Sequence, residues 1–230
     1  MRAYVFLARG ATEPFSGFVW PTPAGGAPGA WVDASTAPRD ALRGYQARDL
    51  PYWLDDELWI VELAGRLTHR DHLLLPERAR LMSRIDAWSD PIAREFVARC
   101  ARRVAQEAIQ ALRTEGHADA ATRLDGASDL RDLETAALDA ADPSPGGTLA
   151  GYVADVCFYA RDAGVPARAA GVAAKMSAYA LADPGEDVGG RLARERTWQA
   201  AWLVDRLGLD DAEVGDWLSE DEASNASNDR

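Results

Sequence analysis

Several residue types that define common protein classes are scarce in this chain of 230 residues. Its two cysteines, Cys100 and Cys157, are far apart and both fall within predicted helices. Two isolated thiols make neither a disulfide framework nor a zinc site, so we interpret both as small core residues. Lysine occurs once, at Lys175, and every other strongly basic side chain is arginine. This usage is typical of the codon bias of a high-GC bacterium.

Long apolar runs are also lacking. No stretch reaches the length of a membrane span, and the run at residues 3–8 is too short for a signal peptide. The formal net charge is -12, whereas general binding to nucleic acid or to an anionic membrane requires a basic surface. We therefore expect a cytoplasmic protein whose partners include neither nucleic acid nor a membrane.

Recognisable catalytic motifs are a third absence. The sequence has no phosphate-binding loop, no dinucleotide-binding glycine pattern after a strand and no Gly-x-Ser-x-Gly elbow. His69 and His72 have a spacing that, on a helix, would let both contact one metal ion, but no third ligand stands at a familiar distance. We interpret them as surface histidines beside a strand end, and we expect neither a metal nor a cofactor.

Apolar residues are plentiful and make up 47% of the chain, enough for a substantial core. The densest packet of large apolar side chains is residues 50–65, within which residues 58–63 predict a central strand that ends at Gly65. Shorter strands are predicted at 3–8, 18–20 and 31–33, around a loop at 21–29 that is rich in proline and glycine.

The hydrophobic period changes after this packet and predicts helices. The strongest one starts at Ser89, where a capping side chain precedes Pro91, and it ends near residue 115 before Gly116. We expect this helix to pack on one face of strand 58–63. The other predicted helices span residues 76–88, 118–124, 128–141, 149–163 (capped by Thr148), 167–182 and 191–207, with one further turn at 210–218.

The resulting fold class is α+β: a small antiparallel β-rich N-terminal unit packed on a mostly helical C-terminal part. Residues 1–66 form the β-rich aromatic unit in this prediction, and residues 67–218 form the helical part, within one domain or two. Residues 219–230 are expected to be a disordered acidic tail.

Aromatic side chains are concentrated in the first 60 residues. They either fill the core of a small sheet or line a pocket for a flat or apolar ligand. Trp20 and Trp31 flank the flexible loop, so we expect them to be the most exposed. The candidate contacts to a ligand or partner are Trp20, Trp31, Tyr45, Gln46, Tyr52 and Trp53.

Two groups of carboxylates lie in the same region. Asp55, Asp56 and Glu57 are consecutive, which favours a solvated turn over a converging acid–base or cation site. Glu62 lies among apolar neighbours in the predicted strand, and a buried carboxylate must be paired or protonated. It is either half of a structural ion pair with an arginine or a weak catalytic candidate.

Short segments of the first third carry a family resemblance: residues 2–4, 15–20, 44–47, 50–54 and 61–65. They resemble a group of uncharacterised bacterial and phage proteins with an initial tyrosine strand, an aromatic-Gly-aromatic segment, a Gly-Phe-His-Ala-Cys box and a strand ending in Glu-Leu-x-Gly. Residues 195–203 are similar to longer actinobacterial members with a helical C-terminal part. The resemblance implies no known activity. Gln46 and Arg48 stand where the box has histidine and cysteine, so any activity that requires that histidine is absent here.

These observations favour a binding or accessory protein that holds a partner protein or a small apolar ligand near the aromatic sheet. The alternative is an enzyme of an unfamiliar type, such as a transferase, with a carboxylate in the sheet cleft. Glu62, Tyr45 and Gln46 would be its candidate residues. Assembly as a homo-oligomer stays open.

Overall fold

The computed structural model of the chain describes residues 1–162, 164–182 and 188–209. Its N-terminal part is a four-stranded antiparallel sheet, and α-helices follow, which confirms the α+β class. The strands are β1 (Arg2–Leu7), β2 (Val32–Asp33), β3 (Glu57–Arg70) and β4 (Leu73–Arg84), in the spatial order β1-β3-β4-β2. The helices are α1 (Asp90–Thr114), α2 (Ala118–Asp125), α3 (Leu130–Ala140), α4 (Pro145–Asp162), α5 (Pro166–Ala180) and α6 (Val188–Leu207).

The predicted central strand is confirmed, although it is longer than expected. β3 pairs with β1 through Tyr4 opposite Ile60, and with β4 on its other side. Gly65 does not end the strand, because the ladder shifts register between Ala64 and Leu67 and then continues to the end of β3. Gly65 adopts a φ of +79° there, a conformation that glycine tolerates and that a β-bulge can use.

The helix predicted at residues 76–88 is wrong, because most of this segment is β4. A tight turn with Asp71 at a φ of +52° sends the chain back along β3. The leucine, alanine and arginine residues of β4 favour a helix locally, but pairing along β3 overrides that preference and buries Leu74, Ala79 and Leu81. The boundary placed after residue 66 consequently falls inside β3, and the sheet extends to the end of β4.

The strongest helix prediction is confirmed. α1 starts directly after Ser89 with Pro91 in its first turn, and Gly116 follows its end with a φ of +86°. The predicted side-chain cap is wrong, because the Ser89 hydroxyl makes no hydrogen bond to the first turn of α1. The apolar stripe of α1 is buried, as expected for an amphipathic helix in a core. Its main contacts are with α4 and α5 rather than with β3.

α4 begins earlier than predicted, so Thr148 is not its cap. Pro145 is the first residue of the helix, and two glycines follow it. A Cβ on Gly146 would lie 2.8 Å from the backbone nitrogen of Leu112, so only glycine permits this close approach to α1. The Gly146 N–H donates to Glu115 Oε1 at 3.0 Å, which ties the start of α4 to the end of α1.

The sheet and the helices are linked by a 3₁₀ helix at Ala47–Tyr52, which contacts β1 on one side and α5 and α6 on the other. This segment takes the place of the direct packing of α1 on β3 that the sequence predicted. The strand predicted at 18–20 contributes only an isolated bridge between Thr12 and Val19. The predicted turn at 210–218 and tail at 219–230 lie outside the described residues.

Among the described residues, the helices are all too short or too polar to cross a lipid bilayer.

Candidate functional site

The two tryptophans expected to be most exposed are both covered. Trp20 is 1% exposed, because the loop before it folds back and the backbone N–H of Trp20 donates to the Ala11 carbonyl. Trp31 is half-buried beneath two guanidinium groups, with Arg78 at 5.1 Å and Arg80 at 4.6 Å from its ring. The expected exposure of Trp20 is therefore wrong.

Tyr45 and Trp53 belong to the packing between the sheet and the 3₁₀ helix. Their rings stack at 5.2 Å with an interplanar angle of 3°. Tyr45 is buried, and this burial raises the pKa of its hydroxyl well above the usual range, with the nearby Arg43 acting in the opposite direction. These two rings fill space in the core, as the structural interpretation of the aromatic cluster predicts.

The acidic triplet is not a solvated turn, because Asp55 and Glu57 are buried. The Glu57 carboxylate accepts hydrogen bonds from the Gly10 and Ala11 N–H groups and from Trp59 Nε1, at 3.0–3.2 Å. Burial raises the pKa of Asp55. The triplet thus anchors the N-terminal loop to the start of β3.

Glu62 forms a structural ion pair with an arginine, which is one of the two roles that the sequence predicts for it. Its Oε2 accepts from Arg80 Nε at 2.7 Å, and Arg80 Nη2 lies 2.6 Å away. Since Arg80 also covers Trp31, these three residues form one cluster on the sheet.

A different place combines concavity with reactive side chains. A cleft of about 330 Å³ opens where the 3₁₀ helix, the turn between β3 and β4, and α6 meet. Of the sequence-predicted site residues, it brings together Gln46 and Tyr52. Trp20, Trp31, Tyr45, Trp53 and Glu62 do not line it. The polar or charged lining residues from the three elements are Gln46, Arg48, Asp49, Tyr52, His69, Asp71, His72, Arg196 and Thr197.

The centre of the cleft is a histidine–carboxylate pair. His72 Nδ1 lies 2.9 Å from Asp49 Oδ1, so in the neutral imidazole the proton resides on Nδ1 and Nε2 presents a lone pair. The His72 ring stacks on Tyr52 at 3.7 Å, and the Arg196 guanidinium lies 4.5 Å from the same tyrosine ring. The imidazole is therefore oriented by a hydrogen bond at its edge and by a ring on its face.

Burial shapes the ionisation of the two side chains behind the imidazole. Burial raises the pKa of Tyr52, and the nearby Arg196 charge partly offsets this effect. Burial also lowers the pKa of Arg196 below its ordinary value, yet the guanidinium stays charged because arginine ionises so strongly. Tyr52 is thus a neutral ring that both the Arg196 guanidinium and the His72 imidazole contact.

A buried polar network holds Arg196 from the helical side. Arg196 Nη1 donates to the Pro51 carbonyl at 2.9 Å and to Gln199 Oε1 at 3.0 Å. Gln199 Nε2 donates in turn to Glu195 Oε1 at 3.4 Å, and Glu195 Oε2 accepts from Arg103 at 2.6 Å. The chain of contacts runs from α1 through α6 to the cleft, so the position of the cleft cation depends on the helical core.

Sequence reasoning missed the three residues that define this cleft: Asp49, His72 and Arg196. The spacing of His69 and His72 is visible in the sequence, but a helix predicted at residues 76–88 gives no hairpin turn that aims His72 at Asp49. No local pattern pointed to Arg196, which lies 145 positions from the carbonyl that it binds. Within the described ranges, there is no group of three His, Cys, Asp or Glu side chains that could hold a metal ion.

We compared the chain with family models, curated proteins and solved structures, and none of them matches it. The resemblance based on the N-terminal segments stays a prediction.

Proposed function

We propose that the protein binds a small polar molecule with an acidic group, such as a carboxylate or phosphate, in the cleft beside Tyr52. The observation that carries this proposal is the His72–Asp49 pair, which stacks on Tyr52 next to the buried Arg196 cation. An imidazole held in one orientation and a guanidinium held by neutral acceptors are ready to meet an anion without rearranging. The polar lining of this cleft favours an acidic ligand over the small apolar ligand that the sequence suggested.

The charge distribution supports an anionic ligand. The whole chain carries a formal charge of -12, yet two of its three histidines and two arginines line this one cleft. The two lining aspartates, Asp49 and Asp71, offset the two arginines, so the formal charge of the lining is zero with neutral histidines. In a protein whose formal charge is -12, a neutral lining repels a small anion less than the surrounding surface does.

The second candidate is an enzyme in which His72 acts as a general base through Nε2. The hydrogen bond between Nδ1 and Asp49 favours it, because this arrangement keeps the lone pair on the outer nitrogen. The lining offers no ready nucleophile: the Thr197 hydroxyl donates to the Ala193 carbonyl at 2.7 Å, and the pKa of Tyr52 is raised. Binding is therefore the better-supported function. Hydrolysis of nitrophenyl esters that is lost in His72→Asn and retained in His117→Asn would favour the enzyme.

The binding proposal is tested by nuclear magnetic resonance of the imidazole signals of the three histidines in this protein. Inorganic phosphate and succinate are titrated at constant pH, and the His72→Asn variant assigns the cleft signal. We expect a saturable shift of the His72 signal and no shift of the His117 signal, since His117 lies between α1 and α2 and does not line the cleft. Parallel, non-saturating shifts of both histidines would refute the proposal.

A matched pair of arginine variants sharpens the test. Arg48 lines the cleft and Arg39 does not, and both are exposed, so neither substitution disturbs the core. We expect Arg48→Ala to weaken phosphate binding about fivefold, the effect of one exposed charge pair, and Arg39→Ala to leave it unchanged. Equal affinities of the two variants would contradict the assignment of the cleft.

Binding to a protein partner and assembly as a homo-oligomer stay predictions. The large apolar side chains most exposed in the first third are Phe15 and Val19, at 74% and 62%, rather than the tryptophans.

A further inference from the structure

A second cavity, of about 400 Å³, lies among α1, α3, α4 and α5, in a part of the molecule that the proposed function does not use. We call it the helical cavity. Each of the four helices contributes at least one apolar residue to its wall. These wall residues are Val97, Leu130, Cys157, Ala160 and Ala169.

The thiol of Cys157, in this wall, is unreactive near neutral pH. Cys157 is 1% exposed, and burial raises the pKa of its thiol to about 12. A thiol with so high a pKa is neither a nucleophile nor a ready metal ligand near neutral pH. It serves as a small apolar surface, and together with Ala160 and Ala169 it leaves a space that larger side chains would fill.

The mouth of the helical cavity is charged, and its carboxylates are already engaged. Glu134 accepts a hydrogen bond from Arg161 Nη1 at 2.9 Å. Asp129 caps α3, where its Oδ1 accepts from the N–H groups of Arg131 and Asp132 at 2.8 and 2.9 Å. Backbone hydrogen bonds at this cap, chiefly the one from Asp132, lower the pKa of Asp129, so it stays ionised in this role.

The remaining charges at the mouth are two guanidinium groups. Arg94 and Arg131 are exposed, and neither forms a salt bridge with another side chain in the described ranges. The charge of Arg131 also acts on the nearby Asp129 carboxylate, but neither guanidinium is held in a direct ion pair with a described residue. An apolar interior below two such cations fits one kind of molecule, with an apolar body and an anionic end. A neutral apolar ligand would fill the interior and leave both guanidinium groups unused.

We propose that the helical cavity binds a medium-chain aliphatic carboxylate, with its chain against the wall residues and its carboxylate between Arg94 and Arg131. At roughly 30 Å³ per water-sized group, the cavity holds on the order of a dozen such groups, which corresponds to a chain of about ten carbons. The guanidinium fork matches the two oxygens of a carboxylate. This site is independent of the cleft beside Tyr52.

The test is a chain-length series of sodium alkanoates from hexanoate to dodecanoate, measured by calorimetry below the concentration at which they form micelles. Burying one methylene completely contributes about 0.8 kcal/mol, so affinity should rise by up to about fourfold per added carbon while the chain lies against the wall. The rise should stop near ten carbons, when the cavity is full. Decanol, which lacks the charge, should bind more weakly than decanoate. Affinity that does not depend on chain length, or that rises without limit, would overturn the proposal.

Two surface arginines of α1 form the matched variants. Arg94 is at the mouth, whereas Arg99 is exposed, does not line the cavity and serves as the control. We expect Arg94→Ala to weaken decanoate binding about fivefold and Arg99→Ala to have no effect. Equal affinities would place the ligand elsewhere and refute the site. Ala160→Leu should shorten the longest chain that gains affinity. If that variant does not fold, the arginine pair still decides.

The arginine variants separate this inference from the proposed function, because decanoate carries a carboxylate that the cleft can also bind. Arg94→Ala should weaken decanoate binding and leave the phosphate-induced shift of His72 unchanged, whereas Arg48→Ala should weaken that shift and leave the chain-length dependence unchanged. Chain-length dependence that is lost in Arg48→Ala and retained in Arg94→Ala would assign the alkanoate to the cleft and overturn the proposal for the helical cavity.

Discussion

Replacing Arg103 by alanine measures how strongly the fold depends on the network behind the cleft. Glu195 carries a carboxylate that is 2% exposed, and Arg103 donates to it at 2.6 Å. Removing one partner of a buried pair leaves an uncompensated charge and costs about 3–5 kcal/mol. Because 38% of the Arg103 side chain is exposed, solvent already screens the pair. We therefore expect a loss of about 2–3 kcal/mol of unfolding free energy.

The loss of unfolding free energy in Arg103→Ala should increase with pH. Burial raises the pKa of Glu195 above its ordinary value of 4.5, while Arg103 lowers it. Without Arg103, the folded-state pKa rises further, so the folded protein holds its proton more tightly than the unfolded chain does. The destabilisation of Arg103→Ala is therefore small below the ordinary value, where Glu195 is protonated in both states, and it grows as the pH rises through the folded-state pKa.

Urea unfolding at about pH 4 and about pH 8 checks both statements. Arg99→Ala is the control, since Arg99 is exposed on the same helix and has no salt bridge with another described residue. Adding Glu195→Gln to Arg103→Ala should restore at least about 1 kcal/mol at the higher pH, because the buried charge is then gone. Equal losses for Arg103→Ala and Arg99→Ala, or a loss that does not change with pH, would refute the reasoning.

Two further predictions concern the sheet. Burial raises the pKa of Asp55 above its ordinary 3.8, so its contribution to stability is lost as the pH rises through the folded-state pKa. Asp55→Asn should unfold at a higher urea concentration than the wild type above that pKa, and parallel pH profiles would contradict this. Gly65→Ala should destabilise more than Gly10→Ala by about 1 kcal/mol in urea unfolding. Both glycines have a positive φ, but only at Gly65 would a Cβ lie 2.7 Å from Glu77. Equal losses would show that the clash is relieved without cost.

The parts of the fold that local chemistry specifies were predicted well. The limits of α1 follow from Pro91 and Gly116, since a proline in the first turn and a glycine after the last turn act within one helical turn. β1 and the core of β3 follow from apolar side chains too dense for a surface. β4 was missed because residues with helical propensity form a strand when a long partner strand is available.

The candidate site was predicted only in part, for a related reason. The segment around Tyr52 and the two closely spaced histidines can be identified from the sequence, because aromatic density and residue spacing are properties of the linear chain. It could not indicate which carboxylate His72 contacts, since the answer depends on the turn between β3 and β4. It also could not distinguish the buried Glu57 from the half-exposed Glu62, because only packing determines which one water reaches.

The sequence by itself determined the α+β class, the ends of α1, the buried stripe of that helix and the aromatic core of the N-terminal part. Each of these depends on propensities and periodicities that act over a few residues. The tertiary structure alone decided that Asp49, His72 and Arg196 meet around Tyr52, and that four helices leave a cavity above Cys157. These contacts depend on strand register and on helix packing between segments far apart in the chain, and no local sequence pattern specifies which distant residues come together.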